Sequence, residues 1–462
     1  MTTERDKKHL QLDDPSLAES IIIISACTLA AIITGGTRYS VGILLVEWMD
    51  YFQIGSAMAA WLGSVTFLTY YTFGPFANVI VRWFRLRPVL FTAAMVFSTA
   101  LALSSLAANE YILMVGWAIA GVGLCFFCVP LIPYIIQKFP VKIRSVANGL
   151  FASGTSCGTF LYTFIVNGTL EAYGWRGCML ILAGISLNLC AVALCLLPIR
   201  HRESSEERVT MNGRDEDGDD GDDDDDDENI TKDKSDIVND TTFEKMELAD
   251  DTKRRCVIHN SRDLFHFYLF KNWKFLSVLL HFGLLYMSAA IVYIHIVSGT
   301  LQLYGVDLQT ASYTISCVGL SNLVGRFAIS VLVHLPRVDT LTVHNCCNII
   351  LGILLIIFPH CGNYVGALIV SALIGLALSG YGSLPQIVLV DQLGDENLQT
   401  TFAYLMVVSG AFYSAGGPLA GVLYDLSGDY QNSFYFAAAI AFLSVIVLLP
   451  AWIKQIRSLQ KV

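Results

Sequence analysis

The sequence predicts an all-α membrane protein with twelve transmembrane helices. The chain has 462 residues, of which 54% are hydrophobic and only 15% are charged, and its mean hydropathy is +0.57. An average soluble domain contains about 25% charged residues, and a soluble protein of this size could not cover so much apolar surface. The composition therefore indicates a chain that crosses the membrane many times.

The lengths of the apolar runs give the number of crossings. A hydrocarbon core about 30 Å thick needs roughly 20 apolar residues in a helix, and glycine and proline are tolerated in such helices because neighbouring helices satisfy the freed backbone groups. The predicted spans are residues 20–46, 57–81, 88–108, 111–136, 146–167, 177–198, 273–299, 309–334, 340–359, 363–390, 399–424 and 432–454.

The net charge of −10 comes from one short segment. Residues 215–228 hold 12 of the 39 acidic residues, so the rest of the chain, with 29 Lys and Arg, is nearly neutral. No broad basic face is indicated, which argues against a nucleic-acid partner. The same segment lies in a long polar stretch with few aromatics, a composition that cannot bury enough surface to fold.

The chain divides around this polar stretch. We predict a cytoplasmic tail at 1–19, a six-helix bundle at 20–198, an acidic, disordered cytoplasmic loop at 199–272, a second six-helix bundle at 273–454, and a tail at 455–462.

Basic residues in the short loops set the predicted orientation. Arg85 and Arg87 follow the second span and Arg337 follows the eighth. Lys454 ends the twelfth and Arg457 follows it, whereas most alternate loops carry no Lys or Arg. Cytoplasmic loops are enriched in Lys and Arg, so both termini are predicted to be cytoplasmic.

Charged and polar residues within the spans are the candidates for function. Arg326 lies within span eight, where a charge is costly unless it faces a polar cavity or a partner. Its guanidinium can hold a carboxylate with two parallel hydrogen bonds, although an arginine two turns from the end of a span can also extend to the membrane surface. Arg38 in span one offers a second cation, and His295 and His281 lie in span seven, where a histidine can also bond a neighbouring helix.

Motifs for enzymes and for metal or nucleotide binding are missing from the sequence. We find no hydrolase, zinc-protease or phosphate-binding signature, and most of the 12 cysteines lie inside apolar spans as fillers. The sequence therefore predicts no catalytic residues, no metal and no cofactor.

Several motifs in fixed order resemble the monocarboxylate transporter family (solute carrier family 16) of the major facilitator superfamily. They are KIRSVANG at 142–149, GWRG at 174–177, YIH at 293–295, SN at 321–322, GR at 325–326, GPLAG at 417–421 and LYD at 423–425. The resemblance implies a major facilitator fold of two six-helix halves and places the chain in the plasma membrane. It also implies a small carboxylate-bearing solute and, as in some relatives, a single-span immunoglobulin-like chaperone.

The resemblance assigns residues to the site and also shows departures. Arg326 corresponds to the anion-binding arginine of the family, Tyr71 to a tyrosine that lines the cavity, and His295 to the family's Tyr-x-His motif. Tyr39 stands where proton-coupled lactate carriers have a lysine, and Asn322 stands where they have an aspartate, on the same helical face as Arg326.

These departures favour facilitated diffusion or exchange of a small organic acid or carboxylate-bearing zwitterion by alternating access. Two alternatives remain open at this point. The first is proton-coupled lactate or pyruvate symport, with His295 as the proton site, and the second is a non-transporting membrane sensor or scaffold that signals through the acidic loop.

Overall fold

The computed structural model describes residues 17–139, 141–196, 267–333, 335, 338–394 and 398–459. Most of the predicted tails at 1–19 and 455–462 and most of the acidic loop at 199–272 lie outside these residues; residues 17–19 and 455–459 are described and are helical. The described residues within 14–199 and 272–462 form one compact unit. Of the other unit, residues 1–13 and 200–271, the described part is a 3-10 turn at Phe267–Lys271.

Every regular element among the described residues is helical, and the helices fall into two sequence groups. The first group is α1 (Leu17–Tyr39), α2 (Val41–Phe52), α3 (Ser56–Thr72), α4 (Gly74–Trp83), α5 (Leu86–Ser104), α6 (Glu110–Cys128), α7 (Leu131–Lys138), α8 (Val141–Ser186) and α9 (Asn188–Cys195). The second group is α10 (Trp273–Tyr304), α11 (Leu308–Val333), α12 (Thr340–Ile357), α13 (Tyr364–Ser383), α14 (Pro385–Leu393), α15 (Leu398–Ser427) and α16 (Tyr430–Leu459).

Breaks in these helices explain how they make up the predicted spans. Ten helical segments of the described chain are long and apolar enough to cross a membrane. The segment Ala147–Cys195 is two crossings, because Gly174 has φ 65° and ψ −179° and turns the chain between them. The pair α3 and α4, which is broken at Phe73, provides a further crossing. The prediction of an all-α protein with twelve spans is therefore confirmed.

Proline marks three of the breaks within crossings. Pro75 lies in the first turn of α4, Pro130 precedes α7, and Pro385 begins α14. Proline lacks the backbone N–H that an uninterrupted helix would use and clashes with the preceding turn. Spans two, four and ten are consequently built from two helices each.

Asparagine and aspartate side chains cap several helices at their first turn. The Asn109, Asn272 and Asn363 side chains each accept a hydrogen bond from a backbone N–H in the first turn that follows. Asp307 accepts one from the N–H of Thr310 at 3.1 Å. Hydrogen bonding to Thr310 lowers the pKa of the Asp307 carboxyl, since these bonds favour the charged form.

Glycine allows close packing both within and between the groups. Gly154 and Gly158 press against the backbone of α1, where an added Cβ at Gly158 would lie 2.2 Å from the carbonyl oxygen of Ile32. Gly421 meets the backbone of Ala57 on α3 in the same way. The two groups meet where α3 packs on α15, α8 on α11 and α2 on α10. Small residues at these seams bring helices from both halves around one centre.

Candidate functional site

Arg326 lies about 27 Å along α11, a helix about 39 Å long, and is half-buried. Its Nε donates to Oδ1 of Asn322 at 3.0 Å. Since Asn322 is four residues earlier, the side chain is directed back towards the start of α11. This is opposite to the direction of an arginine that reaches for the nearby end of its span.

Asn322 is held from two other helices. Only 2% of the residue is exposed. Its Nδ2 donates to the carbonyl oxygen of Gly375 on α13 at 3.1 Å, and its Oδ1 also accepts from Oγ of Ser156 on α8 at 2.7 Å. Asn322 therefore fixes the Nε edge of the Arg326 guanidinium. The two terminal nitrogens make no hydrogen bond with the described residues and remain available for an anion.

The backbone at Gly382 packs directly against this guanidinium. An added Cβ at Gly382 would lie 2.3 Å from Nη2 and 2.8 Å from Cζ of Arg326. Gly382 is near the end of α13, so a third helix limits where the charged group can lie.

For the carboxylate solute that the family resemblance implies, we expect Gly382→Ala to raise the KM about ten-fold, because the new methyl group must displace the guanidinium from Asn322. The atoms nearest to the methyl group all belong to the end of a long side chain, so the fold should be retained. Gly184→Ala is the matched control, since nothing lies within 4 Å of its added Cβ. Uptake kinetics in proteoliposomes would measure both, and equal KM values would contradict the expectation.

Arg38, at the end of α1, is surrounded by aromatic rings. It is only 7% exposed, and its Cζ lies 4.7 Å from the ring centroid of Tyr70 and 5.5 Å from those of Tyr39 and Phe67. Its Nε has no hydrogen-bond partner. Cation–π contact compensates part of the cost of a buried charge. Neither Arg38 nor Arg326 forms an ion pair with the described residues, so the two cations are unbalanced by protein acids.

Aromatic rings connect the two helix groups beside these arginines. The half-buried Tyr39 lies 4.3 Å from Tyr293 on α10 between ring centroids, and Phe67 stacks on Tyr413 of α15 at 4.1 Å. Tyr71, which is 7% exposed, approaches the Tyr286 ring at 5.9 Å. Two of the predicted site residues, Tyr39 and Tyr71, thus belong to one aromatic layer between the groups.

Sequence reasoning did not single out the tyrosines on the other side of this layer. Tyr286 and Tyr293 are seven residues apart on α10, a spacing that places both on one helical face. That spacing was the available signal, and the edge-to-face contact of Tyr286 with Tyr381 at 4.6 Å extends the same layer to α13. Tyrosines are common in apolar spans, so a tyrosine of the site can be recognised only from its neighbours across the bundle.

His295 is placed in helix packing apart from the Arg326–Asn322 pair. It is fully buried, its Nε2 lies 2.8 Å from the carbonyl oxygen of Gly417, and its ring centroid lies 5.6 Å from that of Tyr430. His281 is also fully buried, with its Nε2 2.9 Å from Nε2 of His344. Both histidines bond neighbouring helices, the arrangement expected of a structural histidine in a span.

Hydrogen bonds join the two groups at one end of the bundle. The backbone N–H groups of Ser56 and Ala57, at the start of α3, donate to Oδ1 and Oδ2 of Asp425 on α15 at 2.8 and 3.0 Å. We call these three residues the Asp425 latch. A carboxylate at a helix N-terminus satisfies free N–H groups and interacts favourably with the helix dipole. Next to it, Oγ of Ser56 lies 3.0 Å from the hydroxyl of Tyr430.

No cluster of three or more His, Cys, Asp or Glu side chains suitable for a metal ion occurs in the described part of the chain. The site is therefore built from two arginines, an asparagine, hydroxyls and aromatic rings. Such groups can bind an organic anion and orient it.

Twelve apolar crossings define a multi-pass membrane protein. A family model described as Major Facilitator Superfamily matches residues 27–397. The chain belongs to this superfamily and is a secondary carrier.

Named relatives agree with this assignment over most of the chain. It is 26% identical over 453 residues to Monocarboxylate transporter 14 of Homo sapiens, which covers 90% of this chain and 86% of the relative. It is 27% identical over 480 residues to Monocarboxylate transporter 9 of Mus musculus, and this match covers 94% of this chain and 92% of the relative. The resemblance to the monocarboxylate transporter family is therefore confirmed.

Solved structures show the same fold at low sequence identity. The xylose transporter XylE from E. coli, in a partially occluded inward open conformation, matches with a TM-score of 0.64 at 13% identity, covering 93% of this chain and 99% of XylE. A mutant of the nucleoside transporter NupG matches with a TM-score of 0.67 at 12% identity, and this match covers 93% of this chain and 99% of NupG. The major facilitator fold of two six-helix halves predicted from the sequence is thereby confirmed.

Proposed function

We propose that the protein carries a small organic acid or a carboxylate-bearing zwitterion across the plasma membrane by alternating access. The observation that carries the proposal is the Arg326 guanidinium, fixed at its Nε edge by Asn322 and free of protein partners at its terminal nitrogens. That free edge has the geometry for two parallel bonds to a carboxylate. The names of the relatives, Monocarboxylate transporters 14 and 9, support the same solute class.

The aromatic layer would receive the remainder of the solute. Arg38 gives this region a second positive charge, and Tyr39 and Tyr71 present ring faces and hydroxyls from the first helix group. Ring faces bind apolar and cationic groups alike. A solute with a carboxylate at Arg326 and either kind of group at the rings fits this arrangement.

Alternating access would proceed by rocking of the two halves. The Asp425 latch, formed by the bonds of Ser56 and Ala57 to Asp425, would hold the halves together at the end of the bundle where α3 begins and so separate the central site from that side. Gly417 and Gly421 make a smooth surface on α15 against α3, so the helices can slide once the latch opens. We place the latch on the extracellular side and both termini in the cytoplasm, on the basis of the loop charges.

The remaining organisation is proposed as the sequence predicts it. The bundles at 20–198 and 273–454 would be the rocking halves, and the stretch 199–272 would be a cytoplasmic loop. A single-span immunoglobulin-like partner, as some relatives have, remains a prediction. The similarities to transporters do not favour a sensor or scaffold.

An uptake panel tests the proposal directly. Purified protein in proteoliposomes should show saturable uptake of at least one member of a set comprising lactate, pyruvate, phenylalanine, creatine and an iodothyronine. The primary amide of the accepted solute is the matched control, because it nearly keeps the shape and loses the carboxylate charge. Absence of saturable uptake for the whole panel, or equal saturable uptake of acid and amide, would contradict the proposal.

We expect a pH difference across the membrane to change the initial rate of this uptake by less than about two-fold. Asn322, which does not titrate, stands beside Arg326, and the described residues place no carboxylate there to carry a proton. Uptake rates with equal pH on both sides and with an acidic outside would be compared, with the solute's own ionisation held constant. A ten-fold acceleration by the acidic outside would favour proton-coupled symport.

A further inference from the structure

Ser156 is a residue of the first helix group that touches the centre of the site in the second. It is 4% exposed, and its hydroxyl donates to Oδ1 of Asn322 at 2.7 Å, which crosses from α8 to α11. The same Oδ1 accepts from Nε of Arg326 at 3.0 Å. One amide oxygen therefore joins a hydroxyl from one half to the guanidinium of the other.

The short distance between α8 and α11 makes this contact specific. Gly319 lies one turn before Asn322, and an added Cβ there would lie 2.9 Å from the backbone nitrogen of Phe160. The two backbones are thus nearly in contact beside the hydrogen bond, so the short serine side chain reaches the amide. A serine on a more distant helix would bond its own backbone instead.

Ser153, one turn earlier on α8, shows this ordinary behaviour. It is 6% exposed, and its hydroxyl donates to the carbonyl oxygen of Leu150 in its own helix at 2.8 Å. The two serines have similar burial on one helix and differ in their hydrogen-bond partner. Ser156 is the one whose hydroxyl is directed at the arginine's support.

We infer that Ser156 is a positioning residue, which holds the Asn322 amide so that Arg326 presents its free edge to a carboxylate. The inference rests on the proposed role of Arg326. Two donors on Oδ1 and one acceptor on Nδ2 leave the Asn322 side chain a single orientation. Without the Ser156 hydroxyl, the Asn322 amide loses one of its three hydrogen bonds. The Arg326 guanidinium, which Asn322 holds, is then positioned less firmly. Because Ser156 belongs to the opposite half, affinity for the anion then depends on the contact between the halves.

Substitution of Ser156 tests this inference against Ser153. We expect Ser156→Ala to raise the KM for the best carboxylate of the uptake panel about five-fold, the effect of one hydrogen bond to a polar network. The maximal rate should change less than about two-fold, and Ser156→Thr, which keeps the hydroxyl, should restore most of the affinity. Ser153→Ala should behave like the unmodified protein. A merely structural role would lower thermal stability and the maximal rate without a selective change in KM.

A double-mutant cycle identifies the path of the effect. If Ser156 acts through Asn322, then Ser156→Ala should add nothing to Asn322→Ala. Additive effects, or an unchanged KM in Ser156→Ala, would overturn the inference while leaving the role of Arg326 intact. If Arg326→Gln itself leaves uptake unchanged, or no panel member is carried, the proposed function fails, and the inference fails with it.

Discussion

Replacement of Arg326 by glutamine is expected to lower the uptake of every transported carboxylate about 100-fold, because a buried anion would lose its charged, two-pronged partner. Glutamine keeps much of the length of the side chain and can still reach Asn322. That amide also remains held by Ser156 and by the carbonyl of Gly375, so the local fold should persist. Radiolabelled uptake into proteoliposomes, normalised to the amount of folded protein, measures the effect.

Two further variants make this result specific. Arg326→Lys keeps the charge and loses the planar fork, so its uptake should fall between those of glutamine and the unmodified protein. Arg457→Gln removes a cation from the exposed last turn of α16 and is the matched control. If Arg326→Gln and Arg457→Gln carry the solute equally well, the carboxylate does not dock at Arg326.

Replacement of Asp425 by alanine is expected to open the end of the bundle that the latch closes. The substitution removes both acceptors of the Ser56 and Ala57 N–H groups and the charge at the start of α3. Loss of such a cap costs about 1 kcal/mol, which shifts the balance between closed and open forms about five-fold. The effect is limited in size because Asp425 is exposed to solvent.

A buried position between the same helices reports this shift. Ser64 on α3 is fully buried, and its hydroxyl lies 3.0 Å from an added Cβ at Gly417 of α15. Ser64→Cys should react with a maleimide about five-fold faster in the Asp425→Ala background, read for that peptide by mass spectrometry. Asp429→Ala is the control, since Asp429 accepts from the N–H of Gln431 within its own half. If Ser64→Cys is labelled equally fast in the Asp425→Ala and Asp429→Ala backgrounds, the latch does not hold this end closed.

The sequence predicted the elements of this molecule better than the contacts between them. Apolar runs located twelve spans because helix length in a bilayer is set by its thickness. The pairing of Asn322 with Arg326 was also legible, since residues four apart share a helical face. Such local relations depend only on the spacing along one helix.

Contacts between distant segments could not be predicted in this way. In the sequence, Ser156 resembles any small polar residue of a span. It reaches Asn322 because Gly319, 163 residues further along the chain, lets α11 approach α8 closely. In the sequence, Asp425 is only an acidic residue at the end of a span. The structure shows that the start of α3 lies against it. His295 matched a family motif, and the structure shows that its ring bonds Gly417. Sequence spacing carries no information on which helices become neighbours.

The pair Asn322–Arg326 has an electrical consequence. If no proton accompanies the solute, binding of a monoanion gives a complex that carries one net negative charge more than the empty carrier. In facilitated diffusion each turnover then moves that charge through the membrane potential, which is worth about 2.3 kcal/mol per 100 mV, whereas exchange of one monoanion for another moves no net charge. An inside-negative voltage would drive a monoanion out of the cell, whereas a zwitterion would follow its concentration gradient alone.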